Sequence, residues 1–479
     1  MTRNTEDSIA SKDENSVAYA IRWNSIDWKK AKVVVSRLQY RISKAAMEGK
    51  HALVARLQHL LTNSFSAKAL AVKQVTSTKG KRTPGVDNVI WVGAASKMRA
   101  VDALTGKGYR AQPLKRIHIP KSNGKMRPLS IPTMHDRAVQ ALYNMALDPV
   151  QEASADPNSY GFRKGRGAKD ACFQLRCDLN QKTSSQWVLE GDIKGCFDNI
   201  SHEWLLDNVC MDKNVLRQFL KAGYYYEKKL FDTERGTPQG GVISPTLANI
   251  TLNGMERLIK EHYPRTKGIN FVRYADDFVV TCPDKDTAGR IKHMLTDFLA
   301  ERGLILSEEK TLITHISEGF DFLSWTFRKF KGVLIVKPSK KSFERVKNAI
   351  RDVVLTHGKA QSQSVIIKKL NPVLRGWANY HRNVNSKRTF SALGNYVFNT
   401  LWRWASRKHS NKHLMKVLRK YWKPVGTRKW TFTDGKLVLF RIESTKIVRH
   451  WKCRSDRNPY IHLAYFQERY DQRSHPKRV

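Results

Sequence analysis

Tyr274-Ala275-Asp276-Asp277 stands between two short apolar runs, Ile269–Arg273 and Phe278–Thr281, both rich in β-branched and aromatic residues. Runs of this kind read as strands, and the break between them reads as the turn of a β-hairpin. Neighbouring residues of a regular strand point to opposite faces, so only a turn lets both acids approach one site. Two adjacent carboxylates repel each other unless a cation stands between them. Hard oxygen donors suit Mg²⁺, the usual companion of a nucleotide's phosphates. By itself the pair also fits an ordinary acidic turn, so the reading depends on partners elsewhere.

A third carboxylate follows another apolar run. Trp187-Val-Leu-Glu-Gly191 reads as a strand that ends at Asp192, with Gly195 next and a helix starting near Ser201-His-Glu-Trp204. A strand end is where a rigid sheet can position a ligand, although a loop or cap aspartate would look the same. Phosphoryl transfer by two metal ions, roughly 3.5–4 Å apart, asks for carboxylates on neighbouring strands. Asp192, Asp276 and Asp277 supply that set.

Further blocks follow in a fixed order: Lys81–Asp87, Pro120–Pro132, Tyr160–Arg166, Asp192–Ile200, Gly236–Asn249, Leu306–Thr311, Phe320–Trp325 and Leu370–His381. With Tyr-Ala-Asp-Asp they resemble the reverse transcriptases encoded by bacterial group II introns, enzymes that also act as splicing maturases. The likeness covers nearly the whole chain. It implies an α+β right-hand polymerase, with fingers and palm built on an antiparallel sheet, followed by a helical thumb and maturase domain. The expected divisions are an N-terminal helical extension (1–62), fingers and palm (63–335), thumb/maturase (336–425) and a basic nucleic-acid-binding segment (426–479). The implied activity is RNA-directed DNA synthesis from a DNA 3′ end on intron RNA, together with assistance to splicing.

The resemblance also assigns residues. Asp192, Asp276 and Asp277 are the catalytic carboxylates, holding two Mg²⁺ ions together with Ile193. Lys310 falls beside the leaving pyrophosphate, a surface lysine being the alternative. Lys121, Arg127, Ile193, Phe197 and Gln239 are the nucleotide-binding set. Phe197 stacks under the sugar and excludes a ribose 2′-hydroxyl, unless it is simply a buried palm aromatic. Arg375, Trp377 and Arg382 are the intron-RNA candidates, with Trp377 equally readable as core. The implied partners are group II intron RNA, a DNA target or primer, and dNTPs; homodimer formation stays open.

Local patterns fit these assignments. Arg116–Pro132 reads as two strands around Ser122-Asn-Gly-Lys125, which aims Lys121 and Arg127 toward a triphosphate. Guanidinium offers the bidentate fit to phosphate oxygens. In Gly236–Gly241 the glycines let the backbone approach a ligand and Gln239 brings an amide, ahead of an apolar helix from Ser244 to Met255. Trp28–Asn63 reads as helix broken at Gly49. Phe343, Val346, Ile350 and Val353 make an apolar stripe on a basic helix, with further helices over Val365–Tyr380 and Phe390–Trp404. Trp430–Phe440 reads as a hairpin through Asp434-Gly435.

Charge narrows the function independently. Lys and Arg number 86 against 42 Asp and Glu, a net +44 that calls for a polyanionic partner. From Lys331 onward there are 35 basic against 7 acidic residues, and six of the 12 tryptophans. Aromatic residues among cations can stack on bases. The six cysteines are scattered without C-x-x-C spacing, which implies neither a zinc site nor a disulfide framework and suits a reducing cytosol. No membrane span or signal peptide is expected, which places the protein in a bacterial cytoplasm, near the nucleoid. Many relatives end in a nuclease with paired cysteines and histidines around a His-Asn-His metal site; here Cys453 is the lone cysteine after the thumb, so no endonuclease domain is expected.

Other readings remain at this stage. A splicing-only maturase or RNA chaperone has no physical need for three carboxylates beside a polyanion. An RNA-dependent RNA polymerase would use Asp198 to read a 2′-hydroxyl, but Phe197 and Tyr-Ala-Asp-Asp oppose it. A domesticated or phage-defence reverse transcriptase is the remaining alternative.

Overall fold

The structure is a computed structural model, and it describes residues 15–120, 124, 126–264 and 268–474. Its centre is a four-stranded antiparallel sheet. In chain order the strands are β1 (Leu114–Pro120), β2 (Met126–Ile131), β3 (Trp187–Gly191), β4 (Tyr224–Tyr226), β5 (Lys229–Phe231), β6 (Asn270–Tyr274), β7 (Asp277–Cys282) and β8 (Leu312–His315). The central sheet runs β6-β7-β3-β8, and a second sheet, β2-β1-β4-β5, rises beside it. The first is the palm and the second the fingers. The expected hairpins around residues 121–125 and 275–276 both form.

One face of the palm sheet is packed by helices. Leu189, Phe271, Phe278 and Val280 join Val35, Leu38, Ile42, Leu61, Val72 and Leu142 in a single buried cluster. The helices Trp28–Met47 and His51–Asn63 therefore share the polymerase core, and the expected break at 62/63 falls inside the second of them. Their boundaries are locally encoded. Asp27 caps the first by accepting from Lys29 N and Lys30 N, and the chain leaves it through Gly49 at φ 68°. The other palm face is covered by Leu175, Trp325, Phe327 and Val336.

Beyond β8, a small antiparallel sheet of β9 (Phe320–Phe322), β10 (Trp325–Phe330) and β11 (Val333–Pro338) leads to the helical unit. The expected division at 335/336 cuts through β11; the helices begin at Lys340, capped by Ser339. Helices Lys340–Arg351, Gln363–His381 and Lys387–Lys408 enclose a separate core that includes Val346, Ile350, Leu370, Leu374 and Trp404. Trp422 and Phe432 belong to the same core. They lie on β12 (Trp422–Val425) and β13 (Arg428–Phe432), so the 425/426 division splits a hairpin that is part of this unit.

That hairpin corrects the expected one over Trp430–Phe440. The ladder joins β13 to β12 through Gly426 at φ 57°, while beyond Phe432 only Thr433 bridges to Val438. Asp434 closes the intervening turn by accepting from Lys436 N and Leu437 N. The chain then returns as a strap across the whole molecule. Val448 N donates to Arg382 O (2.9 Å), Cys453 N and His450 Nε2 donate to Asp170 (2.8 and 2.9 Å), and Asn458 Nδ2 donates to Ser43 Oγ (3.0 Å). The segment expected to bind nucleic acid thus also ties the helical unit to the palm and the N-terminal helices. Burial works against ionisation of Asp170, but His450 and Arg469 overrule it and draw its carboxyl down to about 2.

Candidate active site

Asp192 leaves the end of β3. Its carbonyl accepts from Ser307 N (2.8 Å), and Lys194 N donates to Ile305 O (2.9 Å), so two backbone bonds clamp the strand end. Gly191 pairs with Phe278 on β7, where a Cβ would lie 2.0 Å from the ring. Only glycine fits there. The same pairing brings the next residue, Asp192, opposite Asp277.

Asp276 and Asp277 come from the β6–β7 hairpin, in which Tyr274 pairs with Asp277 across a two-residue turn of Ala275 and Asp276. Ala275 sits at φ 59°, a left-handed conformation unfavourable for a residue with a side chain. The surroundings hold it. Gly161 packs so closely that a Cβ would stand 2.2 Å from Ala275 N. Beneath the turn Arg273, fully buried, donates to Ala275 O (3.1 Å), Asn249 Oδ1 (3.2 Å) and Asn253 Oδ1 (3.0 Å). Asn253 reaches it because the expected Ser244–Met255 helix stops at Leu252, and Gly254 (φ 102°) starts a second helix, Met255–His262. Desolvation lowers the Arg273 pKa to about 10, with Asp156 as its main counter-charge. Sequence reasoning missed Arg273; its signal was a lone cation in an apolar strand.

The three carboxylates feel one another. Burial raises the Asp277 carboxyl to about 6, reinforced by Asp276 and then Asp192. Asp276 is raised by burial and Asp192, and is held down by Arg127 and Lys310. Lys310 Nζ lies 2.7 Å from Asp192 Oδ2, a hydrogen bond that raises the lysine's own pKa. Among the described residues no three His, Cys, Asp or Glu side chains converge into a ready-made metal cage. Lys310 engages one oxygen of Asp192. The donor chemistry nevertheless fits a hard divalent cation: carboxylate oxygens on three adjacent backbone positions, mutually repelling and partly desolvated.

The nucleotide side is assembled around Phe197. This half-buried ring lies on the single turn Cys196–Asn199 and meets Phe162 edge-on at 6.2 Å. The Gly236–Gly241 loop is fixed against it: Thr237 N donates to Phe197 O (2.6 Å), and Ser130 N on β2 donates to Gln239 O (2.8 Å). Gln239 Nε2 meets Asp198 at 3.1 Å, a partner sequence reasoning did not give it. Arg127 is exposed on β2 and acts electrostatically on Asp276. The Ile193 side chain is buried, facing the core rather than the open site. Lys121 lies outside the described residues.

The RNA candidates divide. Arg375 is exposed and stacks over Phe440 at 4.7 Å. Trp377, by contrast, packs on the helical core. Its ring lies 4.4 Å from His381 and 5.9 Å from Phe390, and its Nε1 donates to Ser342 Oγ (3.2 Å). Its donor and much of its half-buried ring are used internally, in line with the core alternative for this residue. Arg382 is half-buried, with its carbonyl engaged by the strap.

Three families match consecutive parts of the chain. They are the N-terminal domain of reverse transcriptase over residues 23–104, reverse transcriptase (RNA-dependent DNA polymerase) over 119–327, and the group II intron maturase-specific domain over 343–422. Protein YkfC of Escherichia coli is 31% identical over 339 residues, covering 61% of this chain and 87% of YkfC. The chain belongs to the group II intron reverse transcriptase/maturase family.

The group II intron-encoded protein LtrA of Lactococcus lactis is 29% identical over 369 residues, covering 63% of this chain and 61% of LtrA. Apo telomerase from Candida tropicalis aligns with a TM-score of 0.40 at 15% identity, covering 64% of this chain and 60% of that chain. The carboxylates accordingly stand in an RNA-dependent DNA polymerase domain, which implies use of a divalent metal ion. The helical unit is a maturase-specific domain, which implies binding of group II intron RNA. Among the described residues no helix is long and apolar enough to cross a membrane.

Proposed function

We propose that this protein extends a DNA 3′ end on group II intron RNA and, through its helical unit, holds that RNA in a form that assists splicing. The observation that carries the reading is the strand pairing that sets Asp192 opposite Asp277 and next to Asp276, over a turn braced by buried Arg273. Two Mg²⁺ ions, when bound there, supply the charge that activates a 3′-hydroxyl and stabilises departing pyrophosphate.

The protein's own groups do the positioning. Asp192, Asp276 and Asp277 present the oxygens that would hold the ions. Phe197 lies under the incoming sugar and leaves no space for a 2′-hydroxyl, selecting deoxynucleotides. Arg127 offers its guanidinium to the triphosphate. Gln239 is anchored through its backbone to β2, so the glycine loop and the fingers hairpin move as one wall of the nucleotide site. Lys310, drawn off Asp192 when cations replace its charge, is placed to stabilise or protonate the leaving group.

The test is extension of a DNA primer on intron RNA. Asp192→Asn and Asp276→Asn are each expected to abolish synthesis while leaving RNA affinity intact. Wild-type extension by either purified variant would remove the carboxylate assignment.

A further inference from the structure

We propose that the helical unit carries a pocket for one unpaired pyrimidine base of an RNA strand, at the junction of helix Lys387–Lys408 with the β12–β13 hairpin. The inference rests on the intron-RNA reading of this unit and adds a site to it.

A cavity of about 110 Å³ opens there, between Phe398, Trp422, Trp430 and Phe440. An apolar cavity of about 150 Å³ encloses a benzene ring, so this smaller, open-mouthed one takes a single six-membered ring part-way and has no room for a fused purine. Its mouth is aromatic on two sides. Phe398 is 44% and Trp430 is 49% exposed, so both rings leave a face open at the mouth. Trp422 is fixed by an edge-on contact with Phe432 at 5.0 Å and a tilted one with Trp402 at 5.9 Å. Trp430 has no such ring partner among the described residues.

The polar edge suits a base. Arg441 and Glu443 line the cavity and are paired to each other at 2.7 Å, presenting a donor and an acceptor side by side. A pyrimidine edge carries the same alternation of acceptors and donors. Charge identifies the occupant as part of a polyanion. Lys423, Arg428 and Lys429 are exposed on the hairpin, and Arg375 stacks on the rim residue Phe440. An apolar side chain of a protein partner would gain nothing from those cations. Phosphates on either side of an inserted base would meet them directly. RNA is read in this way, through unpaired bases stacked on aromatic rings.

The test uses the full chain and two end-labelled RNA oligomers, one of uridines and one with the same backbone but no bases, compared by fluorescence anisotropy. Trp430→Ala should weaken uridine binding about ten-fold, the usual scale for loss of one stacked base, with abasic binding unchanged. Trp430→Phe should restore most of it, which a folding defect would not permit. Lys429→Ala should weaken both oligomers alike. A uridine preference that survives both Trp430→Ala and Phe398→Ala would overturn the pocket. So would saturable binding of N-acetyl-phenylalaninamide that leaves RNA binding untouched, since it would assign the cavity to a protein side chain. Primer extension by the wild type, measured alongside, tests the polymerase reading separately.

Discussion

Replacing Arg273 with Met keeps most of the side chain's volume and removes its charge and its donors. In the wild type those donors satisfy Ala275 O and Asn249 Oδ1, which are buried, and Asn253 Oδ1, which is half-buried. Each stranded acceptor costs about 1–3 kcal/mol, less whatever the two amides recover by turning. Asp156, buried and raised in pKa by that burial, also loses the cation that offsets it. Breaking a buried charged partnership typically costs about 3–5 kcal/mol, a large share of the 5–15 kcal/mol that holds a domain together. For a unit of this size that is a fall in Tm of roughly 6–10 °C. The catalytic consequence is separate. Ala275 sits in a disfavoured conformation, and without its anchored carbonyl the turn is free to relax and carry Asp276 with it. A displacement of about 1 Å at a reacting centre can cost about 100-fold in rate. Calorimetry and primer extension below the melting temperature read the two effects, with RNA affinity as the control. A variant that melts within about 2 °C of the wild type, or extends within about two-fold of it, would refute the bracing role of Arg273.

Other expectations follow from the same geometry. Phe197→Val should open space near C2′ and raise the incorporation of NTPs relative to dNTPs by about ten-fold or more; an unchanged ratio would place the sugar gate elsewhere. Lys310→Ala should lower the extension rate by about 100-fold, with primer–template affinity little changed; equal losses in both would make it a binding lysine only. Burial pushes the Asp178 carboxyl up to about 7, so the folded chain keeps a proton that the unfolded chain releases near 3.8. The associated stability is complete below about pH 4 and is lost as pH rises through 7. Asp178→Asn, which keeps the bond from Gln174 Nε2, should therefore raise Tm at pH 8 and leave it unchanged at pH 4; a uniform shift at both values would contradict the titration.

How much of this was legible depends on the range of the interaction. The β6–β7 hairpin is written locally, in two apolar runs and a two-residue break, and the same holds for the strand that ends at Asp192. The caps at Asp27, Ser201 and Ser339 are equally local, each accepting from a backbone N–H two or three residues on. What supports the carboxylates is not local. Arg273 is satisfied by Asn249 and Asn253; the second reaches it because the helix stops at Leu252, and no periodicity announces that break's purpose. Trp377 was open to two readings for a different reason. An aromatic residue among cations has the same local signature whether it stacks on a base or fills a core, and only the ring contacts with His381 and Phe390 decide.

The basic C-terminal third shows how far a charge count can be taken. Its surplus of 28 cations predicts polyanion binding, but a count does not say which cations face outward. Arg469 is buried on Asp170, and His450 joins it there, while the palm has its own buried group of Glu152 with Arg163 and Arg166. These charges are used up within the protein. They fasten the strap to the palm across about 300 residues of sequence, a pairing no local pattern can encode. Arg469 is the one buried cation of this third among the described residues, and most of the others are exposed; Arg375, Lys423, Arg428 and Lys429 stand out among them because they gather around exposed aromatic rings. Salt dependence separates the two populations, because only the outward cations release counterions when RNA binds. The slope should therefore fall further when Lys423 and Lys429 are removed than when an equal number of distant surface lysines are.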